Sequence, residues 1–144
     1  MTGIVERLQA AAGPDRILDA TIARESAGLC LHGSWHSEGP DGDRGRVCDD
    51  CGADSWGNRG KTGQRLNDPV PLYTASIDAA LSLVERKLPT DYHFFELSIG
   101  HKRAHCEIHD QRIYDPIGTA DAPTAPLALL IALLKALEQK ATAP

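Results

Sequence analysis

Three of the four cysteines and two of the six histidines of this 144-residue chain lie in residues 30–52. Cys48 and Cys51 form a C-x-x-C-G sequence, in which the backbone turns between two thiols and the following glycine accommodates a positive φ. Cys30 and His32 stand upstream, with 15 residues between His32 and Cys48. Because three thiolates and one imidazole satisfy tetrahedral Zn²⁺, the spacing predicts a structural zinc site formed by these four residues.

The segment that surrounds these ligands has too few apolar residues to fold by burial alone. Residues 29–67 hold both tryptophans but are rich in Gly and Asp and poor in aliphatic side chains. The free energy of metal binding becomes folding free energy, so an ion can cross-link such a segment into a hairpin with its tip in residues 37–47. His36 is an alternative to His32 as the fourth ligand. Four protein ligands close the coordination sphere, and no H-x-E element supplies an acid or base, which favours a structural ion over a catalytic one.

A second group of candidate residues follows the cysteines. Residues 57–62, GNRGKT, resemble the end of a phosphate-binding P-loop, but Ser55 stands where that motif has a glycine and no hydrophobic strand precedes it. A glycine-rich linker is the better explanation. The neighbouring cations and indole give a speculative nucleotide-binding set, which consists of Trp56, Arg59, Lys61, Arg65 and Arg103. A nucleotide would require them to converge on a pocket or on a subunit interface. Both tryptophans are expected to pack around the metal hairpin, whereas an exposed one would indicate a contact site.

Three histidines near the middle of the C-terminal half also suggest a metal site. His101, His105 and His109 are spaced four residues apart, which is about 13 Å along an extended strand, too far to share one ion. We therefore expect them to face solvent on one side of a strand. Cys106 points to the other side and is expected to be a small core residue.

Composition and charge limit what the chain can be. Its 42% hydrophobic residues suffice for a core, and its net charge of −5 argues against general affinity for nucleic acid or anionic membranes. Glu6 and Arg7 interrupt the only early apolar run, so no signal peptide is expected. The longest apolar run, 126–134, is too short to cross a bilayer. We expect a cytoplasmic protein, and clustered cysteines in that compartment hold metals more often than disulfides.

The elements that must position these residues alternate between helical and extended patterns. The sequence predicts an α+β fold, in which a small antiparallel sheet of two or three strands packs with helices, preceded by an N-terminal helical hairpin and a zinc-ribbon-like insertion. Three segments follow from this pattern, 1–28, 29–67 and 68–144. The predicted helices are 2–12, 14–26, 74–88 (capped by Thr74 or Ser76) and 121–139, and the predicted strands are 92–99, 103–109 and a short 111–114.

The last predicted helix is apolar nearly all round from Leu127 to Leu134. Such a helix must be covered on more than one side. A second copy of the chain would provide that cover, so we expect a homo-oligomer that associates through helix 126–138.

Several motifs resemble the phage ABA-sandwich domain family, a group of small phage and prophage proteins. They are GPDRILDATIA at 13–23, PLYTASIDAALSLVE at 71–85 and APTAPLALLIALLKAL at 122–137. Some members of the family carry a cysteine-rich insertion that corresponds to residues 30–52. The resemblance implies an antiparallel sheet packed with helices, a phage or prophage origin and a location in the host cytosol. It implies no catalytic residues.

These observations favour a non-enzymatic, zinc-containing phage accessory protein that acts by association with a protein or with itself. A first alternative is an anti-defence protein that sequesters a host nucleotide signal or blocks a host defence complex. A second is an RNA-binding module, because the order α-β-β-β-α resembles the double-stranded RNA-binding fold. That fold places lysines at the start of its last helix, whereas residues 122–126 contain no cation here.

Overall fold

The computed structural model describes residues 2–39, 45–88, 93–112 and 114–142. In these residues the chain forms four helices, a two-stranded sheet and a three-stranded sheet, which confirms the predicted α+β class. The chain divides into two compact units, Met1–Asp19 with Leu72–Pro144 and Ala20–Pro71. The finer division into 1–28, 29–67 and 68–144 stays a prediction.

Two short helices open the chain, α1 (Thr2–Ala10) and α2 (Arg16–Glu25), close to the predicted 2–12 and 14–26. Asp15 begins α2, because its carboxylate accepts hydrogen bonds from the backbone N–H groups of Ile17 and Leu18 at 2.8 and 3.1 Å. α1 packs against the last helix of the chain. Asp19 is fully buried and accepts hydrogen bonds from the N–H and the hydroxyl of Thr74 at 2.7 and 2.9 Å. This pair joins the start of α2 to the segment before α3.

Helix α3 (Ile77–Lys87) begins at Ser76, the second of the two predicted caps. The Ser76 hydroxyl accepts a hydrogen bond from the Ala79 N–H at 3.2 Å. Its buried residues are Ala80, Leu83 and Val84, and the helix packs on the last helix of the chain. Ile77, the first residue of the helix, is exposed.

The larger sheet has the antiparallel order β3-β4-β5, where β3 is His93–Ile99, β4 is Ala104–Asp110 and β5 is Pro116–Ala122. The inward-facing residues of β4 are buried as predicted, namely Ala104, Cys106 and Ile108.

The position of the third strand was predicted wrongly. It is Pro116–Ala122 rather than 111–114, of which residue 113 lies outside the described part of the chain. Residues 117–122, IGTADA, are mostly small and have weak strand propensity, so the pattern gave no strand signal there. Small residues are needed because β5 lies close to the last helix. A side chain at Gly118 would collide with the Ala132 carbonyl oxygen.

Helix α4 (Ala125–Thr142) starts four residues later than the predicted 121, because Asp121 and Ala122 still pair with β4. Its residues from Ala125 to Leu134 are all buried by elements of the same chain, since α4 packs on the sheet, α1 and α3. Elements of the same chain therefore already cover the apolar face of helix 126–138, through which the chain was expected to associate with a second copy. The oligomeric state itself stays a prediction. None of the helices in the described residues is long and apolar enough to cross a membrane.

Candidate metal centre

A short β-hairpin carries the second half of the predicted ligand set. Strands β1 (Trp35–Glu38) and β2 (Gly45–Cys48) pair in antiparallel fashion with Trp35 opposite Cys48. Of the predicted tip at 37–47, residues 40–44 lie outside the described residues. After Cys48 the chain turns back, and the Gly52 N–H donates to the Cys48 carbonyl at 2.9 Å. Gly52 has a φ of 78°, the conformation for which the C-x-x-C-G pattern selects glycine. The turn thus brings Cys51 beside Cys48.

The structure brings Cys30, His32, Cys48 and Cys51 together. One donor atom from each of the four residues lies within 4.8 Å of the others. The Sγ atoms of Cys30 and Cys48 are 3.5 Å apart, and Cys51 Sγ is 3.5 Å from His32 Nδ1. A disulfide would require about 2.05 Å. Tetrahedral bonds to one Zn²⁺, with Zn–S about 2.3 Å and Zn–N about 2.1 Å, place two sulfurs about 3.8 Å apart and a sulfur and a nitrogen about 3.6 Å apart. The observed spacing fits a single ion.

Burial of the cluster also fits a metal centre. Cys48 and Cys51 are buried, and Ala53, Cys30 and Leu66 pack around them. The backbone N–H of His32 donates to Cys30 Sγ at 3.4 Å, an interaction that stabilises a thiolate.

The His32 side chain faces the cluster from a strained backbone. Its φ is 51°, a region that residues other than glycine rarely adopt. Its Nε2 is buried and has no hydrogen-bond partner among the described residues. Because Nδ1 faces the sulfurs, this imidazole is oriented as a metal ligand of the cluster would be.

The thiols differ in how readily they lose a proton. Burial, assisted by the neighbouring Cys48 and Cys51, raises the pKa of Cys30 to about 11 despite the opposing N–H of His32. Burial also acts to raise the pKa of Cys48, but hydrogen bonds from His32 and from the N–H groups of Cys51 and Asp50 outweigh it and lower that pKa to about 6. A divalent cation among these sulfurs would favour the thiolate form of all three.

Two residues outside the predicted ligand set hold the cluster in place. Gln64 is buried, and its side chain accepts a hydrogen bond from the Cys30 N–H at 2.7 Å and donates one to the Cys30 carbonyl at 3.3 Å. Gly60 lies against Cys51, because a Cβ there would fall 2.6 Å from Cys51 Sγ and 2.7 Å from its carbonyl oxygen. The Lys61 N–H donates to that same carbonyl at 2.8 Å. The segment interpreted as a linker therefore forms one wall of the centre.

His36, the alternative fourth ligand, points away from the cluster. Its Nδ1 lies 2.6 Å from an Asp49 oxygen and its Nε2 lies 2.9 Å from a Glu38 oxygen. The carboxylates of Glu38 and Asp49 accept hydrogen bonds from the protonated ring, which raises the pKa of His36. His32 is therefore the histidine of the centre.

Trp56 packs against Gly45 of β2, as expected of a residue around the hairpin, but both tryptophans keep about half of their surface exposed. Trp35 is 50% exposed and Trp56 is 49% exposed. The Arg46 guanidinium lies 5.2 Å from the centre of the Trp35 ring, within the range of a cation–π interaction.

Four residues of the speculative nucleotide-binding set, Trp56, Arg59, Lys61 and Arg65, belong to the unit formed by residues 20–71. Arg59 donates to the Gly63 carbonyl at 2.6 Å and lies 4.0 Å from Asp68, while Lys61 and Arg65 are exposed. Arg103 belongs to the other unit. A cavity of about 480 Å³ beside the cluster contains none of the five. It is lined by Arg24, Leu29, Cys30, Leu31, Gly33, Asp50, Cys51 and Thr62.

The chain matches no protein-family model, no curated protein and no solved structure. The resemblance to the phage ABA-sandwich family therefore stays a prediction.

Proposed function

We propose that Cys30, His32, Cys48 and Cys51 bind one structural Zn²⁺, which stabilises the unit formed by residues 20–71. The observation that carries this proposal is the convergence of three sulfurs and an imidazole within 4.8 Å. Bound zinc would supply a tetrahedral cross-link between the C-x-H segment and the hairpin. Soft thiolate ligands favour Zn²⁺ over hard cations such as Mg²⁺ and Ca²⁺.

The role of this ion is structural rather than catalytic. Four protein ligands leave no coordination position for a substrate or an activated water. Two of the sulfurs, those of Cys48 and Cys51, belong to buried residues. We accordingly propose that the protein is not an enzyme.

We further propose that the zinc-stabilised unit acts by contact with a protein partner or a second copy, as expected of a phage or prophage accessory protein. The support for a contact role is the exposure of Trp35 and Trp56, because tryptophan is among the residues that dominate binding interfaces. Arg46, stacked near Trp35, adds a second residue type enriched at such sites. The buried face of α4 offers no comparable surface.

Native mass spectrometry of the untagged protein tests the metal and the association together. We expect one zinc per chain, lost in a Cys48→Ser/Cys51→Ser variant and retained in a Cys106→Ala control. Cys106 lies on β4, outside the cluster. Chains purified without transition metal, or zinc retained by the double variant, would contradict the proposal. A nucleotide retained in the same spectra would support the alternative of a nucleotide-sequestering anti-defence protein instead.

The contact role is tested by a Trp35→Ala/Trp56→Ala variant. If the protein self-associates, we expect this variant to remain monomeric while it keeps its zinc. An oligomer that survives both substitutions would place the interface elsewhere on the chain.

A further inference from the structure

A second group of metal-binding residue types lies on the open face of the larger sheet. In β4, Ala104, Cys106 and Ile108 point to the buried side, so the residues between them and His109 point to the opposite side. The strand register places Glu96 of β3 directly opposite Glu107 and Asp121 of β5 directly opposite His105. Carboxylates and imidazoles from all three strands thus share one surface.

Three of these side chains are close enough to share an ion. One donor atom from each of Glu96, Glu107 and His109 lies within 4.8 Å of the others. Glu107 Oε2 is 3.2 Å from His109 Nε2, close to the separation of about 3.0–3.4 Å between ligands that are each about 2.1 Å from a metal. His105 contacts the other Glu107 oxygen at 3.1 Å and Asp121 at 3.1 Å, which orients the Glu107 carboxylate toward His109.

No positively charged side chain among the described residues pairs with the Glu96 carboxylate. Two carboxylates directly opposite each other on neighbouring strands repel and destabilise the pair. Glu107 is accommodated by two histidines, His105 and His109. Glu96 makes no hydrogen bond or ion pair with any residue that the structure describes. A cation beside Glu96 and Glu107 would remove that repulsion.

We propose that Glu96, Glu107 and His109 form a site for a divalent first-row transition-metal ion, distinct from the cysteine cluster. Two carboxylates and one imidazole suit ions of intermediate hardness such as Mn²⁺, Fe²⁺, Co²⁺ or Zn²⁺. Three protein ligands leave positions for water, and the exposed Glu96 gives access from solvent. The ion at this site is therefore exchangeable, in contrast to a buried four-ligand ion.

Manganese is the suitable probe, because Mn²⁺ stands at the weak end of the affinity order and prefers oxygen ligands to thiolates. It will not displace zinc from the cysteine cluster. We expect Mn²⁺ added to the zinc-loaded chain to broaden the NMR signals of residues around 96, 107 and 109, and to saturate at one ion per chain. Glu107→Gln and Glu96→Gln should each weaken binding by about tenfold or more, since each removes a ligand.

The matched control is Glu85→Gln, which neutralises an exposed glutamate on α3 and should leave the affinity unchanged. Both test positions lie on the open face, and thermal unfolding without Mn²⁺ checks that each variant folds. If one variant does not fold, the other decides. Equal affinity in Glu107→Gln, Glu96→Gln and Glu85→Gln, or broadening that never saturates and spreads over all acidic residues, would mean an adventitious ion only and would refute the site.

Discussion

Removal of two ligands from the metal centre should unfold one unit and spare the other. In the unit formed by residues 20–71, one cluster of buried residues consists of Cys48, Cys51 and Ala53, with Cys30 and Leu66 packed against it. Three of these five are proposed zinc ligands. A buried leucine contributes about 1.5–3 kcal/mol, and an alanine less. A structural zinc contributes about 10–16 kcal/mol in small zinc-dependent domains. The proposed zinc would therefore contribute more to the stability of this cluster than the burial of its apolar side chains does.

We accordingly expect Cys48→Ser/Cys51→Ser to disorder residues 29–66 while β3, β4, β5 and α4 stay folded. The assay is a ¹H–¹⁵N correlation spectrum of the variant beside that of the zinc-loaded parent. Signals of residues 45–66 should collapse to the positions of an unfolded chain, and those of β4 and α4 should keep their dispersion. Chelation of the parent protein should reproduce the same pattern.

Two results would refute this reasoning. Unchanged signals for 45–66 would mean that the segment folds without the ion. Loss of dispersion throughout the chain would mean that the two units unfold as one cooperative structure, in which the free energy of the metal stabilises α4 as well. The Cys106→Ala control separates either result from a general effect of losing a thiol.

Two further substitutions test the contacts around these units. Gly60→Ala should weaken zinc binding, because the alanine Cβ would fall 2.6 Å from Cys51 Sγ. Gly33→Ala is the control, since a Cβ at Gly33 meets no atom within 4 Å and zinc affinity should equal that of the parent. Competition for zinc with a chromophoric chelator measures both affinities. Thr74→Val should lower the free energy of unfolding of its unit by about 1.5–3 kcal/mol, because the Thr74 hydroxyl donates a hydrogen bond to the buried Asp19 carboxylate. Urea unfolding measures this free energy. A loss below about 0.5 kcal/mol would mean that the hydrogen bond does not stabilise the unit.

The ligand set could be predicted from sequence because it depends on local spacing. C-x-x-C-G specifies a turn that brings two thiols together, and this turn is observed around Cys48 and Gly52. The choice between His32 and His36 could not be made from spacing. It is decided by Asp49 and Glu38, which hold the His36 ring away from the cluster.

The residues that support the centre were missed because they act through backbone contacts. Gln64 holds the N–H and carbonyl of Cys30 from 34 positions away, and no periodicity or motif marks such a residue. Gly60 lies in a glycine-rich segment, and the sequence of this segment predicted only a flexible linker. The close approach of Cys51 gives it a steric role instead.

The group of Glu96, Glu107 and His109 on the open face of the larger sheet was not predicted from the sequence, for a different reason. His105 and His109 lie four residues apart on β4 and His101 precedes this strand, and this spacing predicts no shared ion for the three histidines. The group that converges comes from two strands, because Glu96 meets Glu107 only through the antiparallel register. Sequence separation within one strand says nothing about partners across it.

The half exposure of both tryptophans is expected if a metal ion, and not apolar burial, stabilises the unit formed by residues 20–71. A segment short of aliphatic residues gains most by burying its largest side chains, yet Trp35 and Trp56 keep about half of their surface in solvent. Burying them would contribute several times the free energy of burying Ala53. If the proposed ion holds this unit together, the unit does not depend on that burial, and the exposed half of each indole is available for contact. The exposure of both tryptophans in a segment short of aliphatic residues supports the contact role proposed for this unit.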